Sequence, residues 1–261
     1  MIKFRNKSKD ESESKENIII NKNILIEAIE DLLNDKIASI SIFDMDGVIF
    51  DTEMIYLKVW SEVFEKYGYE MTKEIYASVL GTGRENVKKV FVNHFGSNLP
   101  IDDMYIEKDD NLAKEIEKGV PLKSGVYEIL EYLKENDFKI ALATSATSKR
   151  AFKQLKQANI ENFFNAIVCR DEVMETKPNP DIFLKAADKL MVKPEECIVI
   201  EDSRAGIEAG FNAGMLPIHV VDLKDADEKI LSKSYKSFNN LNEIRNELMY
   251  VKKKMLIYGM K

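Results

Sequence analysis

Acidic side chains stand in pairs at two places where a short apolar run of the chain ends. Asp44 and Asp46 lie on either side of one residue, with Gly47 next, and Glu201 is followed directly by Asp202. Carboxylates at positions i and i+2 beside a glycine suit a tight turn around a hard cation, but such acids equally cap helices or lie in solvated loops. If both pairs face one crevice, they repel one another unless a cation lies among them. Oxygen ligands without a nearby histidine then favour Mg²⁺ over zinc.

Two further polar positions also follow apolar runs, and they suit an anion. Thr144 and Ser145 offer hydroxyls and backbone N–H groups to a phosphate oxygen. Lys177 stands in a turn before a helix, where the helix dipole favours an acid, so its position makes more sense if it faces an anion. Taken singly, both signals are weak, and a loop hydroxyl and a solvated lysine are plainer interpretations. His94 and His219 are scattered, and we expect them to be structural.

These residues need a scaffold that brings the ends of several strands together. The apolar runs are continuous rather than alternating, as in parallel strands covered on both faces; they are 37–43, 138–144, 166–170, 197–201 and 216–221. Helical segments follow at 124–136, at 179–191 with Asn179 as the N-cap, and at 203–213. The pattern predicts an α/β fold with a doubly wound, Rossmann-like parallel sheet. Ligands of such sheets bind beyond the carboxyl ends of the strands.

The interval between the first two runs shows only helical periodicity, over residues 54–120. Its first helix places Tyr56, Trp60 and Phe64 on one face and stops at Gly68. An all-helical insert directly after the first strand lies near the carboxyl ends of the strands. We therefore expect residues 54–120 to form a helical cap domain over the site.

The remaining boundaries follow from these two patterns. Residues 37–53 and 121–261 are expected to form the α/β core domain. Residues 1–36 are expected to be an N-terminal extension. Its first half, 1–17, is too polar to offset its ordering entropy and is expected to be disordered, and 24–34 is expected to be a short amphipathic helix.

Length, charge and cysteine content limit the class of function. A chain of 261 residues allows one α/β domain with an insert. Its net charge of −7 makes it a poor binder of nucleic acid or of an anionic membrane. It shows no signal-peptide pattern and no apolar run long enough to span a bilayer, and Cys169 and Cys197 are expected to be buried free thiols. We expect a cytoplasmic monomer whose partner is a small molecule.

The order of the motifs resembles the haloacid dehalogenase-like superfamily over about residues 37–245. The resemblance rests on four segments that each follow a strand: Asp44-x-Asp46-Gly47-Val48, Thr144, Lys177-Pro178 and Glu201-Asp202-Ser203-x-x-Gly206-Ile207-x-Ala209-Gly210. It is closest to the branch with a helical cap between the first two motifs. That branch includes β-phosphoglucomutase and phosphatases of sugar, polyol and glycolate phosphates.

The resemblance implies a role for each acid. Asp44 would attack phosphorus and form an aspartyl phosphate. Asp46 would protonate the leaving oxygen and later deprotonate a water molecule or a sugar hydroxyl. Mg²⁺ would be held by Asp44, the carbonyl of Asp46 and Asp202, with Glu201 as a direct or outer-sphere support.

The resemblance also assigns the residues that bind substrate. Thr144 and the N–H of Ser145 would hold the transferring phosphoryl group, and Lys177 would balance its charge. In the cap, Arg84 resembles an arginine that meets a distal phosphate or carboxylate of the substrate. Lys108 resembles a basic residue that β-phosphoglucomutase holds over its active site.

Two positions separate the members of this branch. An acid at Asp46 favours a phosphate ester over a carbon–halogen bond as the substrate. Where the mutase carries an alanine and a cap-helix histidine, this chain has Glu53 and Tyr56, which favours a phosphatase of a small phosphorylated metabolite, a sugar or polyol phosphate. The alternatives are a phosphosugar mutase, and a phosphosugar-binding or regulatory protein that kept the fold without turnover.

Overall fold

A parallel sheet of six strands lies at the centre of the structure, a computed structural model that describes residues 40–80, 83–223 and 225–258. The strands are β1 (Ile40–Phe43), β2 (Lys139–Ala143), β3 (Ala166–Val168), β4 (Ile198–Glu201), β5 (Leu216–Val220) and β6 (Ser237–Phe238). Their order is β3-β2-β1-β4-β5-β6. The direction of winding reverses between β1 and β4, and a crevice forms at such a point outside the carboxyl ends of the strands.

Of the helices that the structure describes between β1 and β2, the first four pack on one another. They are α1 (Thr52–Lys66), α2 (Lys73–Val79), α3 (Arg84–Phe95) and α4 (Ile101–Glu117). Their apolar faces form a hydrophobic cluster distinct from the two beside the sheet. At its centre the ring of Trp60 meets Phe64, Phe91 and Tyr105 edge-on, with centroids 4.9 to 5.6 Å apart.

The remaining helices cover the sheet on both faces. On one face lie α5 (Val126–Glu135), α6 (Ser148–Gln157) and α10 (Leu241–Tyr258), and on the other α7 (Asp181–Leu190) and α8 (Arg204–Asn212); the short α9 (Glu228–Lys233) packs against α8. Ile42 and Phe43 of β1 are both fully buried and point to opposite faces. The strand is buried at every position, as expected when helices cover both faces of a parallel sheet.

The fold class predicted from the sequence is confirmed, one strand was not foreseen, and one local prediction is wrong. Strand β6 was not predicted because it is only two residues long and carries no apolar run. Asn179 is not the N-cap of α7: Pro180 occupies that position, and Asn179 Oδ1 instead accepts a hydrogen bond from the N–H of Asp181 at 3.0 Å.

The structure tests the predictions for the cysteines and for membrane spans, but the N-terminal extension lies outside the residues that it describes. Cys169 and Cys197 are buried free thiols, as predicted. Within the described ranges, no helix is both long and apolar enough to cross a membrane. The N-terminal extension 1–36, including the helix expected at 24–34, lies outside the described residues. The domain boundaries stay predictions.

Candidate active site

The carboxyl ends of β1 and β4 bring three acids together. Phe43 pairs with Ile200 in the ladder, and the N–H of Asp44 continues it by donating to the carbonyl of Ile200 at 3.0 Å. Asp44, Glu201 and Asp202 each offer a carboxylate oxygen, and these oxygens all lie within 4.8 Å of one another. The two acid pairs of the sequence therefore meet in one cluster.

Burial and mutual repulsion dominate the electrostatics of this cluster. Burial, together with the charge of Glu201, raises the pKa of Asp44 to about 7, although Lys177 opposes the shift. Burial also raises the pKa of Asp202 well above its ordinary value, and the charges of Glu201 and Asp44 add to that rise. Three acids beside one lysine carry an excess negative charge, and their donors are all oxygen. This donor set fits a hard divalent cation such as Mg²⁺.

Lys177 reaches into the cluster from the loop before α7. Its Nζ donates to Asp44 Oδ1 at 2.5 Å, to Glu201 Oε1 at 2.8 Å and to the carbonyl of Ala143 at 3.2 Å, and its side chain is only 6% exposed. Burial alone would lower its pKa, but the charges of Asp44 and Glu201 raise it above the ordinary value. Lys177 is therefore a fixed positive charge beside Asp44.

Two glycines allow the backbone to come this close to the acids. Glu201 Oε2 accepts from the N–H of Ser203 at 2.6 Å, and a Cβ on Gly206 would lie 1.7 Å from Glu201 Oε1. A Cβ on Gly47, whose φ is +82°, would lie 2.4 Å from Asp202 Oδ2. Any larger residue at either position would displace a carboxylate of the cluster.

Asp46 lies beside the cluster rather than in it. Its Oδ2 forms an ion pair with Nη2 of Arg150, which belongs to the first turn of α6. Its Oδ1 is buried and has no hydrogen-bond partner among the described residues. Sequence reasoning missed Arg150, although a base in the first turn of a helix is the same signal that singled out Lys177.

The turn after β2 holds the two residues that were predicted to contact phosphate at the end of that strand. Thr144 is fully buried, and its Oγ1 accepts a hydrogen bond from the N–H of Ala146 at 3.0 Å. Ser145 follows it and is exposed. Lys177 also contacts the end of β2 through the carbonyl of Ala143. The structure thus brings the predicted phosphate-binding residues to one edge of the sheet, next to Asp44.

A cavity of about 360 Å³ lies in the helical insert and contains both basic residues singled out there. Its described lining is largely aromatic and aliphatic, and it includes three charged side chains, those of Glu53, Arg84 and Lys108. The other lining residues are Tyr56, Trp60, Tyr76, Val79, Leu80, Gly83, Val87 and Tyr105. Tyr76 donates its hydroxyl to Glu53 at 2.5 Å. Burial raises the pKa of Glu53 and of Tyr56, and the charge of Asp46 adds to both shifts.

His219, expected to be structural, supports the loop after β4. The side chain is fully buried on β5, with Nε2 3.1 Å from the carbonyl of Asp202 and Nδ1 2.7 Å from the hydroxyl of Ser237. A carbonyl oxygen only accepts, so Nε2 donates to it, and in the neutral ring Nδ1 accepts from Ser237. His219 therefore connects β6 to the backbone of Asp202.

Comparison with known proteins identifies relatives of this chain. The sequence model of the haloacid dehalogenase-like hydrolases matches residues 41–220. A phosphorylated carbohydrates phosphatase of Thermotoga maritima is 31% identical over 180 residues, which cover 69% of this chain and 83% of that protein. A β-phosphoglucomutase of Bacillus subtilis is 34% identical over 186 residues, which cover 69% and 81%.

A solved structure shows the same fold. The HAD family hydrolase of Deinococcus radiodurans, determined with phosphate and sodium bound, superposes with a TM-score of 0.73 over 83% of this chain and 97% of its own. At 22% identity this likeness concerns the fold alone. With the match over residues 41–220 and two relatives above 30% identity, the chain belongs to the haloacid dehalogenase-like hydrolase family.

Proposed function

We propose that the protein is a Mg²⁺-dependent phosphatase that releases phosphate from a small sugar or polyol phosphate through an aspartyl phosphate on Asp44. The observation that carries the proposal is the contact between Asp44 and Lys177. A buried carboxylate is held 2.5 Å from a fixed ammonium group, next to two more acids. The Thermotoga relative, a phosphatase of phosphorylated carbohydrates, supports the class of substrate.

In the first step one acid is the nucleophile and another is the general acid. A carboxylate oxygen of Asp44 attacks phosphorus, the bond from phosphorus to the ester oxygen breaks, and Asp46 gives its proton to that oxygen as the alcohol leaves. Lys177 balances the negative charge that Asp44 and the phosphoryl group share. Thr144 and the backbone N–H of Ser145 hold the phosphoryl oxygens, so positioning and electrostatics dominate.

The second step regenerates the enzyme. Asp46, now ionised, takes a proton from a water molecule, whose oxygen attacks the phosphorus of the aspartyl phosphate. The bond between phosphorus and Asp44 breaks, and phosphate and a free Asp44 carboxylate result. The products together contain the ester plus one water, and Asp46 regains the proton that it gave up in the first step.

The chain's own oxygens would hold the metal. Asp44, Asp202 and the carbonyl of Asp46 would be the ligands, and Glu201, whose oxygens already accept from Lys177 and Ser203, would support them. Mg²⁺ supplies positive charge next to the phosphoryl oxygens when it is bound.

A phosphosugar mutase is the second candidate, because the Bacillus β-phosphoglucomutase is 34% identical to this chain. In that reaction a sugar hydroxyl replaces water in the second step. Glu53 and Tyr56 stand where the mutase branch has alanine and histidine, so the phosphatase is preferred. A phosphosugar-binding protein without turnover is the third candidate. It is less consistent with the retained set of Asp44, Asp46 and Lys177.

The test is phosphate release from a panel of phosphorylated metabolites, including p-nitrophenyl phosphate, with Mg²⁺ and in EDTA. We expect release with Mg²⁺ and none in chelator. Asp44→Asn is the matched control, since it removes the nucleophile with almost no change of shape, and circular dichroism should show an intact fold. Turnover by Asp44→Asn within tenfold of the unsubstituted enzyme excludes Asp44 as the nucleophile.

A further inference from the structure

The two basic residues of the cap pocket share a single carboxylate. Nη1 of Arg84 lies 3.3 Å from Asp109 Oδ2, and Nζ of Lys108 contacts Asp109 Oδ1. Glu53 is the fourth charged group, on the pocket wall. With two cations and two acids, the formal charges of this set cancel.

Two further basic side chains near the pocket also form ion pairs with acids. Lys88, which lies 5.6 Å from the ring of Tyr105, pairs with Asp102 at 2.5 Å. Arg150 pairs with Asp46. In the described ranges, then, the basic side chains at Arg84, Lys88, Lys108 and Arg150 each have an acidic partner. A second phosphate or carboxylate on a substrate would have to break one of these pairs.

The lining favours a different kind of group. Rings surround Lys108, whose Nζ is 5.4 to 5.6 Å from the centroids of Tyr56, Trp60 and Tyr105, and the guanidinium of Arg84 stacks on Tyr105 at 4.2 Å. Such rings offer apolar faces to the C–H groups of a sugar. The Glu53 carboxylate, held by Tyr76, is a strong acceptor for a hydroxyl and repels an anion. At about 360 Å³, the cavity is at the small end of ligand sites.

We propose that the cap pocket selects a leaving group that is neutral and polyhydroxylated and discriminates against one with a second anionic group. Asp109 and Glu53 are the specificity-determining residues. Asp109 engages the two cations that a distal phosphate would need, and Glu53 binds hydroxyls while repelling negative charge. This inference rests on the proposed phosphatase function and narrows its substrates.

Two matched substrate pairs test the selection. Fructose 1-phosphate and fructose 1,6-bisphosphate differ by one phosphate, and glucose 6-phosphate and 6-phosphogluconate differ by one carboxylate. In each pair, we expect kcat/KM for phosphate release to be higher by about tenfold or more for the substrate whose leaving group is neutral. A second anionic group would have to break a charge pair, which costs free energy, and a neutral group would not. A preference for the anionic members overturns the proposal.

Asp109→Asn tests the mechanism of selection. The substitution keeps the shape, frees Arg84 and Lys108, and should shift both ratios towards the anionic member by about tenfold. Glu115→Gln is the control, because it removes the same charge from the same helix, and its partners Lys58 and Lys118 do not line the pocket. Its ratios should stay within about twofold. Glu53→Gln, which removes the other negative charge, should shift the ratios in the same direction as Asp109→Asn.

Failure of this inference is distinguishable from failure of the phosphatase proposal. If none of the four sugar phosphates nor p-nitrophenyl phosphate releases phosphate, the phosphatase proposal fails. Thermal-shift titration of Asp44→Asn with the same pairs then compares binding without turnover, and tighter binding of the anionic members refutes the selection. Equal shifts for Asp109→Asn and Glu115→Gln would refute the role of Asp109, since they would show a general effect of net charge.

Discussion

Arg150 and Asp46 form an ion pair between α6 and the turn after β1, across 104 positions of sequence. The Arg150 side chain is 32% exposed and that of Asp46 33%, so the pair lies at the mouth of the acid cluster. Arg150 fixes one oxygen of Asp46, and the other oxygen is buried without a partner in the described part of the chain. The group proposed to carry the proton is thus held from one side only.

Arg150→Gln should lower kcat by about tenfold or more and change KM much less, because a proton carrier out of position is inefficient. Arg150→Lys should restore part of the rate, since it restores the charge. Steady-state kinetics with the best sugar phosphate measure both. p-Nitrophenolate leaves without protonation. With p-nitrophenyl phosphate as the substrate, the initial burst of p-nitrophenolate should therefore be little affected by Arg150→Gln. A higher KM with an unchanged kcat would instead make Arg150 a substrate ligand.

Gly206→Ala should impair both stability and catalysis, because its Cβ would meet Glu201 Oε1 at 1.7 Å and push the carboxylate off Lys177. We expect the free energy of unfolding to fall by about 1–3 kcal/mol. Gly210→Ala is the matched control on α8, since its Cβ meets Val199 at 3.3 Å. Urea unfolding and phosphate release compare the two variants. Equal effects on turnover would mean that Glu201 does not position Lys177.

The sequence predicted what is encoded locally. The acids after β1 and β4 were found because a parallel sheet brings the carboxyl ends of its strands to one edge, and this places Asp44, Glu201 and Asp202 together. Lys177 was found because it is a base before a helix. These signals need only the strand and helix pattern of the chain.

Side-chain contacts between the inserted helices were not predictable in this way. The pair between Glu53 and Tyr76 joins α1 to α2, and the link from Arg84 to Asp109 joins α3 to α4. Both depend on how the four inserted helices cross, and amphipathic periodicity does not fix crossing angles. The family resemblance implied that Arg84 and Lys108 would face the substrate, but the sequence gave no sign that Asp109 engages both of them.

Mg²⁺ should raise the melting temperature of the protein, because a ligand that binds only the native state stabilises it. At a concentration one hundred times its dissociation constant the gain is about 2.7 kcal/mol. Asp202→Asn should lose most of this shift. Ca²⁺ should bind yet inhibit turnover, since its larger and more flexible coordination sphere would misplace Asp44. Differential scanning fluorimetry with and without EDTA checks the stability effects. An unchanged Mg²⁺ shift in Asp202→Asn contradicts the assignment of this ligand.

Glu53→Gln should stabilise the protein at pH 8 and have little effect at pH 4. Burial raises the pKa of Glu53 in the folded state, so the folded protein holds this proton more tightly than the unfolded chain. The ionised side chain then costs stability above its folded pKa, and the cost vanishes below its unfolded pKa of about 4.3. Urea unfolding at both pH values measures the difference.

Glu85→Gln is the control for that comparison, because the side chain of Glu85 is 83% exposed on α3. Its effect on the free energy of unfolding should be small at both pH values. If Glu53→Gln stabilises the protein more at pH 4 than at pH 8, the carboxylate is favoured in the folded state, and burial does not dominate its pKa.

A mutase and a phosphatase differ in what reaches the aspartyl phosphate. A mutase must exclude water until a sugar hydroxyl arrives, and in the β-phosphoglucomutase branch a cap-helix histidine takes part in that control. Burial raises the pKa of Tyr56 above its ordinary value of 10.0, so Tyr56 does not carry a proton near neutral pH. The mutase also passes through a sugar bisphosphate, and its distal phosphate would have to displace Asp109 from Arg84 or Lys108.

We therefore expect the aspartyl phosphate to be hydrolysed readily. The experiment supplies β-glucose 1-phosphate, Mg²⁺ and a trace of glucose 1,6-bisphosphate, and it follows glucose 6-phosphate and free phosphate together. Phosphate should form at least as fast as glucose 6-phosphate. Asp109→Asn should increase the share of glucose 6-phosphate, because it frees two cations for the distal phosphate. If glucose 6-phosphate accumulates much faster than phosphate in the unsubstituted enzyme, the phosphatase proposal is wrong, and Lys108 or Glu53 must replace the histidine of the mutase.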